Sequence, residues 1–248
     1  MRILAHRGSP GQCFVENTLP AVSACLLDGA DGVEVDLRLT ADGVLVVCHD
    51  PTLRRLAGSH LPVATSTWAD LRTTSGAAGV PLARVEEVLA VLAGRPVVLE
   101  VKRPQPGAVP ATVAALVGVL GGLRSQGLPL DVTVSSFSPE VVAAVRDTAH
   151  GDLALRTALL GDLRDRPTSL LRHALHAGHD QVHPHVAALL AEPVAVARAH
   201  ALGVGVVPWT VNRGRALRRL AALGVDGVIT DVPRSARLAL AVDARAAA

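Results

Sequence analysis

Aromatic residues are almost missing from this chain: there is no tyrosine, and Phe14, Trp68, Phe137 and Trp209 are the whole complement in 248 residues. The core must therefore be aliphatic, and two of the four aromatics, Phe137 and Trp209, fall inside the polar motif segments described below. Cysteine is scarce too. Cys13, Cys25 and Cys48 are odd in number and lack ligand spacing, which excludes a disulfide framework and reads as reduced thiols of a cytoplasmic protein. No apolar run approaches the ~18 residues that a transmembrane helix needs. Met1-Arg-Ile-Leu-Ala-His6 meets polar residues at once and leaves no room for a signal peptide, so a cytoplasmic location without stable membrane association is expected. Charge of one sign is absent as well. The net charge is +2 with both signs interspersed, which argues against nucleic acid or an anionic membrane as partner.

Half of the residues are hydrophobic and the mean hydropathy is +0.38, with Ala, Val and Leu dominant. That composition suits an α/β protein whose parallel strands are buried on both faces. A short strand at 3–7 precedes a helix capped by Asn17 or Thr18, with Pro20 in its first turn and Gly29 at its end. After residue 81 the alternation is regular. Helices are expected at 82–92, 108–125, 139–148, 168–177, 193–201, 214–223 and 234–242, before an Ala-rich tail that frays. Strands are expected at 96–102, 132–137, 153–159, 181–183, 204–211 and 227–231. With the strands near 3 and 33 this makes eight βα units, which predicts a (β/α)8 TIM barrel as a single domain over 1–248. An open doubly wound sheet is the alternative, and the lack of a Gly-rich phosphate loop after the first strand weighs against it.

The most informative stretch is 32–50. It reads as two strands folded on a Thr40-Ala41-Asp42-Gly43 turn, with Gly43 free to take positive φ. Val33, Val35 and Leu37 alternate with Glu34 and Asp36, so both carboxylates share one face. A turn centred on Ala41 and Asp42 brings His49 back beside Glu34. Carboxylates and a histidine on strands that want burial are costly unless something binds them. Residues 51–80 show little periodicity beyond a possible short helix at 67–72 and read as a small surface insertion after this hairpin.

In a barrel, chemistry gathers at the C-terminal strand ends. There lie His6 and Arg7, Glu34 and Asp36, Glu100 and Lys102, Ser135 to Phe137, His183, Trp209 to Asn212, and Thr230 with Asp231. Glu34, Asp36 and Glu100 form an all-oxygen set with room for water, which suits Mg2+ or Ca2+ better than zinc. Arg7 and Lys102 are donors for an anion, and His6 and His49 suit general acid and base near neutral pH. Together they point to cleavage of a phosphoryl ester. Plainer readings stand beside these: Lys102 as an ion-pair partner of Glu100, His183 as a satisfied loop histidine, Trp209 as core packing, Asp231 as a cap or loop anchor, and Asp50 as a residue that orients His49.

The segments His6-Arg7-Gly8, Glu16-Asn17-Thr18, Glu34-Val-Asp36, His49-Asp50-Pro51, Glu100-Val-Lys102, Trp209-Thr-Val-Asn212 and Gly227-Val-Ile-Thr-Asp231 resemble the glycerophosphodiester phosphodiesterases. The resemblance spans residues 3 to about 233, and seven such segments in one order are highly specific. It implies a (β/α)8 barrel that hydrolyses glycerophosphodiesters to sn-glycerol 3-phosphate and an alcohol with Ca2+ or Mg2+. It further implies Glu34, Asp36 and Glu100 as metal ligands, His6 and His49 as the acid–base pair, and Arg7 and Lys102 on the phosphate. Asn17 falls in a family motif, and Trp209 resembles the apolar wall beside the glycerol. The usual Asp-Arg pair after His-Asp-Pro-Thr-Leu is replaced by Arg54-Arg55, and Cys48 stands where bulkier residues are common. Related barrels acting on lysolipids or sphingomyelin are the nearest alternative, and the short insertion offers them little apolar surface. A non-catalytic barrel would be expected to lose a histidine or a ligand, and an aldolase-like barrel has no need of paired histidines.

Overall fold

Short Val/Leu runs between Gly and Pro punctuation build the frame. The structure, a computed structural model, describes residues 1–8, 14–149, 153 and 155–246; Cys13, and Ala154 of the strand expected at 153–159, lie outside them. The chain begins with β1 (Arg2–His6), α1 (Leu19–Leu27), and the hairpin β2 (Gly32–Leu39) and β3 (Leu45–Val47). The insertion holds α2 (Arg54–Ala57) and α3 (Trp68–Ala77). Regular alternation follows with α4 (Val85–Leu92), β4 (Pro96–Val101), α5 (Val109–Ser125), β5 (Asp131–Ser136), α6 (Pro139–Thr148), β6 (Arg156–Leu160) and α7 (Pro167–Ala177). The last part holds β7 (Gln181–His183), α8 (Val186–Ala191), α9 (Val194–Ala201), β8 (Gly205–Val206), α10 (Gly214–Ala222), β9 (Gly227–Thr230) and α11 (Pro233–Ala246).

Eight strands are parallel in the order β8-β7-β6-β5-β4-β2-β1-β9, and β3 lies antiparallel on β2. The ends of the row come together. Asp226 N–H donates to Val206 O at 3.0 Å, Ile229 N–H to Pro208 O at 3.0 Å, and Val211 N–H to Ile229 O at 2.8 Å. The expected barrel is therefore present and nearly closed. Strand β8 is only two residues long, not eight, because Pro208 has no N–H to donate across this seam. On its other side residues 205, 207 and 209 still donate to β7 and its continuation at 180, 182 and 184.

Outward side chains Val33, Val35, Leu37, Val97, Leu99 and Val134 are buried against the helices. Each such burial is worth about 1.5–3 kcal/mol. Inward lie Leu4, Val98, Val207 and Ile229, a small apolar plug beneath the strand ends. That plug leaves the inward Glu34, Asp36 and Glu100 in a low-dielectric setting.

The hairpin pairs Leu37 with Val47 and Leu39 with Leu45, one residue beyond the expected register. Strand β3 ends at Val47, so His49 lies past the ladder rather than opposite Glu34. Apolar residues spread along the insertion, Leu53, Val63 and Leu71, join Val46, Cys48 and Leu82 in a separate small core. Their spacing carries no period, which is why the sequence showed one short helix where α2, a 3-10 turn at Val63–Thr65 and α3 are found. Residues 82–84 are extended rather than helical, since Val47 N–H donates to Ala83 O at 2.8 Å and widens the hairpin. Helix α8 was not expected; the His185 ring caps it by accepting from Ala187 N–H at 3.2 Å. Helix α11 runs to Ala246 where fraying was expected after 242. Among the described residues no helix is long and apolar enough to cross a membrane.

Candidate active site

Register brings the polar strand ends level: His6 pairs with Glu34, Asp36 with Glu100, and Glu100 with Ser135. His6, Arg7, Glu34, His49, Glu100 and Lys102 line one cleft with Ser135, Phe137, Leu160, Trp209 and Ile229. Asp36 lies fully buried beside it.

The three carboxylates bring oxygens within 4.8 Å of one another, and all three residues are buried. Glu34 Oε1 has no hydrogen-bond partner. Burial, then the Asp36 charge, pushes the Glu34 carboxyl well above the ordinary range. Burial also raises Glu100, against the pull of Lys102. Asp36 goes the other way, because the charges of Lys102 and Arg7 outweigh its burial. The Lys102 ammonium sits 2.5 Å from Glu100 Oε1 and 2.7 Å from Asp36 Oδ1. Three buried carboxylates with one orphaned oxygen form a hard-donor cluster that fits a divalent cation.

Each histidine carries an aspartate on Nδ1. His6 Nδ1 is 2.6 Å from Asp231 Oδ1, and His49 Nδ1 is 2.6 Å from Asp50 Oδ1. A carboxylate can only accept there, so Nδ1 holds the proton and Nε2 is the free nitrogen. Burial lowers the pKa of both rings; for His6 the Asp231 bond and the Glu34 charge overcome it and leave a net rise. For His49 burial prevails, helped by Lys102 and Arg7. Arg38 fixes the backbone of His49 by donating from Nε and a terminal nitrogen to its carbonyl at 2.9 and 2.7 Å.

Arg7 and Asn17 are both left-handed, at φ 54° and 59°, which costs a non-glycine residue ~1–2 kcal/mol. Asn17 N–H donates to Arg7 O at 2.9 Å and Arg7 N–H to Glu34 O at 2.8 Å, which ties these two residues to each other and to β2. Gly8 follows at φ 76°, where a Cβ would lie 2.8 Å from the Val22 nitrogen. Asn17 is fully buried and holds Asp36 from both sides: its Nδ2 donates to Asp36 Oδ2 at 2.8 Å, and its Oδ1 accepts from Asp36 N–H at 3.3 Å.

Trp209 forms the opposite wall. Its indole N–H donates to His183 O at 3.0 Å, and its ring meets Phe137 edge-on at 5.5 Å. His183 is apart from the cleft: the side chain is fully buried, its Nε2 is 3.0 Å from Gln181 Oε1, and burial pushes its pKa down to about 3.

Residues 6–235 match the Glycerophosphoryl diester phosphodiesterase family. The chain belongs to that family. A glycerophosphodiester phosphodiesterase of Bacillus altitudinis is 29% identical, with 94% of this chain and 95% of that protein covered. One of Caldanaerobacter subterraneus is 26% identical over 94% and 95%. Among solved structures, a Silicibacter pomeroyi protein superposes with TM-score 0.82 at 27% identity, covering 98% of this chain and 94% of that one. An Oleispira antarctica phosphodiesterase in complex with the product sn-glycerol-3-phosphate superposes at 0.81 with 24% identity, over 97% and 96%.

Several residues of this cleft carry geometry that sequence reasoning had not given them. Asp231 is the partner of His6, and Asn212 secures it by donating to Asp231 Oδ2 at 2.5 Å and accepting from Asp231 N–H at 2.9 Å. The usable signal was ring closure, which sets the last strand beside the first. Asp50 orients His49 as one plain reading had it. Glu16 and Arg55 join the cluster through ion pairs with each other and with Arg7 and Asp50. A larger cavity, of about 460 Å³, lies at the opposite mouth of the barrel, lined by Arg2, Asp131, Arg156, Asp180 and Asp226. Its carboxylates are committed to Arg2, Arg156, and the N–H groups of Thr157 and Val206, so size does not mark the site here.

Proposed function

We propose that this chain hydrolyses glycerophosphodiesters to sn-glycerol 3-phosphate and an alcohol. The observation that carries this reading is the pair of aspartate-held histidines lining the same cleft as Glu34 and Glu100. Glu34, Asp36 and Glu100 would hold the divalent cation, Mg2+ or Ca2+, which when bound supplies positive charge to polarise the phosphoryl group. Arg7, braced by Glu16 and Asp36, and Lys102 take the charge on the non-bridging oxygens. One histidine accepts through Nε2 the proton of the attacking water, or of the glycerol 2-hydroxyl where a cyclic phosphate forms first and water then opens it. The other, protonated on both nitrogens, gives its Nε2 proton to the alcohol oxygen as the P–O bond breaks, and the pair is reset by proton exchange with solvent or by the reverse transfers of the ring opening. Phe137, Leu160 and Trp209 receive the glycerol carbons. Ser135 Oγ, buried without a partner, is set to bond a substrate hydroxyl. Asn17 acts through Asp36, and His183 through the Trp209 indole whose N–H its carbonyl accepts. The product held by the Oleispira antarctica phosphodiesterase is the one expected here.

The test is glycerol 3-phosphate release from glycerophosphocholine and glycerophosphoethanolamine after EDTA, then with Mg2+ or Ca2+ restored, with lysolipids as contrast. Release that returns with metal is the expected result. Folded protein that releases nothing with either ion would overturn the reading.

A further inference from the structure

His49 and Arg7 reach the cleft from different segments, one after β3 and one after β1; Arg38 holds the His49 backbone and Glu34 that of Arg7, which leaves their side chains to be set by other groups. A single side chain of the insertion connects them. Arg55, in α2, donates from Nε to Asp50 Oδ2 at 2.6 Å and from a terminal nitrogen to Glu16 Oε1 at 2.5 Å. The other oxygen of Asp50 is on His49 Nδ1. The same Glu16 oxygen accepts from Arg7 at 3.1 Å, and Arg7 Nε lies 3.2 Å from Asp36 Oδ2. An unbroken charged path therefore runs from the His49 ring through Asp50, Arg55, Glu16 and Arg7 to Asp36.

We propose that Arg55 is a positioning residue, the bracket by which the insertion sets His49 and Arg7 relative to each other. Stability alone does not account for it. The Arg55 side chain is 47% exposed, and exposed ion pairs contribute little to stability. What a guanidinium adds is a planar fork that fixes two carboxylates at a set separation and angle, which a flexible ammonium cannot do. Glu16 and Asp50 are the better-shielded partners, 12% and 22% exposed, so the fork closes over them from outside. Arg55 supplies this tie from the arginine position of the usual Asp-Arg pair, and only Arg54 beside it departs from that pattern.

The inference rests on the phosphodiesterase reading, and its test separates the two. Arg55→Ala, Arg55→Lys, Glu16→Gln and the Arg55→Ala/Glu16→Gln double variant are assayed in the full chain at saturating metal. Misplacing a reacting group by an ångström costs up to ~10²-fold, so Arg55→Ala is expected to lose about 10- to 100-fold in kcat with its melting temperature unchanged. Added guanidinium ion should restore part of that loss, lysine should restore less than arginine, and the double variant should lose little more than Arg55→Ala. Wild-type kcat and KM in Arg55→Ala, or losses that multiply independently without guanidinium rescue, would overturn the bracket. If the wild-type chain releases no product, the substrate reading fails. The bracket is then judged by the His49 Nδ1–H proton resonance, assigned with His49→Ala. Loss of that signal in Arg55→Ala supports the bracket, and an unchanged signal refutes it.

Discussion

Three histidines show how far surroundings set the behaviour of one side chain. His6 and His49 each have Nδ1 committed to an aspartate and keep Nε2 for the cleft. His183 is sealed in the barrel with Nε2 beside Gln181 and Nδ1 without a partner. Burial lowers its pKa from 6.5 to about 3, so the folded chain keeps it neutral while the unfolded chain protonates it near 6.5. Between these values the unfolded state holds one more proton, and stability falls as pH falls, by about 1.4 kcal/mol per pH unit for one group. Urea unfolding at pH 7 and pH 5 should therefore show a loss of about 2 kcal/mol from this residue. His183→Gln should lack that share of the loss; an identical pH dependence in the variant would show that His183 titrates normally in the fold.

Among the elements, β2 does the most to place chemistry, and its position depends on its first residue. A Cβ on Gly32 would lie 1.9 Å from the Pro96 carbonyl oxygen. Any larger residue must part β2 from β4 at the base of strands that carry Glu34, Asp36 and Glu100 at their tops. Gly32→Ala is expected to cost about 1–3 kcal/mol or more in urea unfolding. Gly118→Ala, in α5 with nothing within 4 Å of the added carbon, should be neutral or stabilising by about 0.5–1 kcal/mol. Equal midpoints for the two variants would refute the close-approach argument. The insertion works at this scale as well: its apolar residues are unremarkable in sequence, yet their small core carries α2 and thereby Arg55 to Asp50 and Glu16.

For the molecule as a whole, three carboxyl groups crowded into one buried cluster are costly to ionise together, as the raised Glu34 and Glu100 show, and a bound cation offsets that cost. A cation that binds this cluster in the folded state and not in the unfolded chain stabilises by RT ln(1 + [L]/Kd), ~2.7 kcal/mol at a hundredfold excess over Kd. Thermal unfolding should shift upward with added Mg2+ or Ca2+ and return with EDTA. Glu34→Ala should remove the shift; a variant that still responds to metal would take Glu34 out of the ligand set.

Much of this was already legible along the chain. The eight βα units follow from period and punctuation, and the strand-end carboxylates from an alternation that strands impose on any sequence. Both are local properties, so the sequence by itself determined the barrel and the rim on which Glu34, Asp36 and Glu100 stand. What only the tertiary structure decided is which groups meet across that rim. Asp231 reaches His6 over 225 residues because β9 comes beside β1 only once the sheet has curved round on itself. Arg55 reaches Glu16 because an aperiodic insertion packs on its own small core. His183, at a strand end like the others, turned out sealed in the interior. Local pattern sets the face a side chain points to, whereas ring closure and packing set its neighbours, and neighbours decide what a titratable group can do.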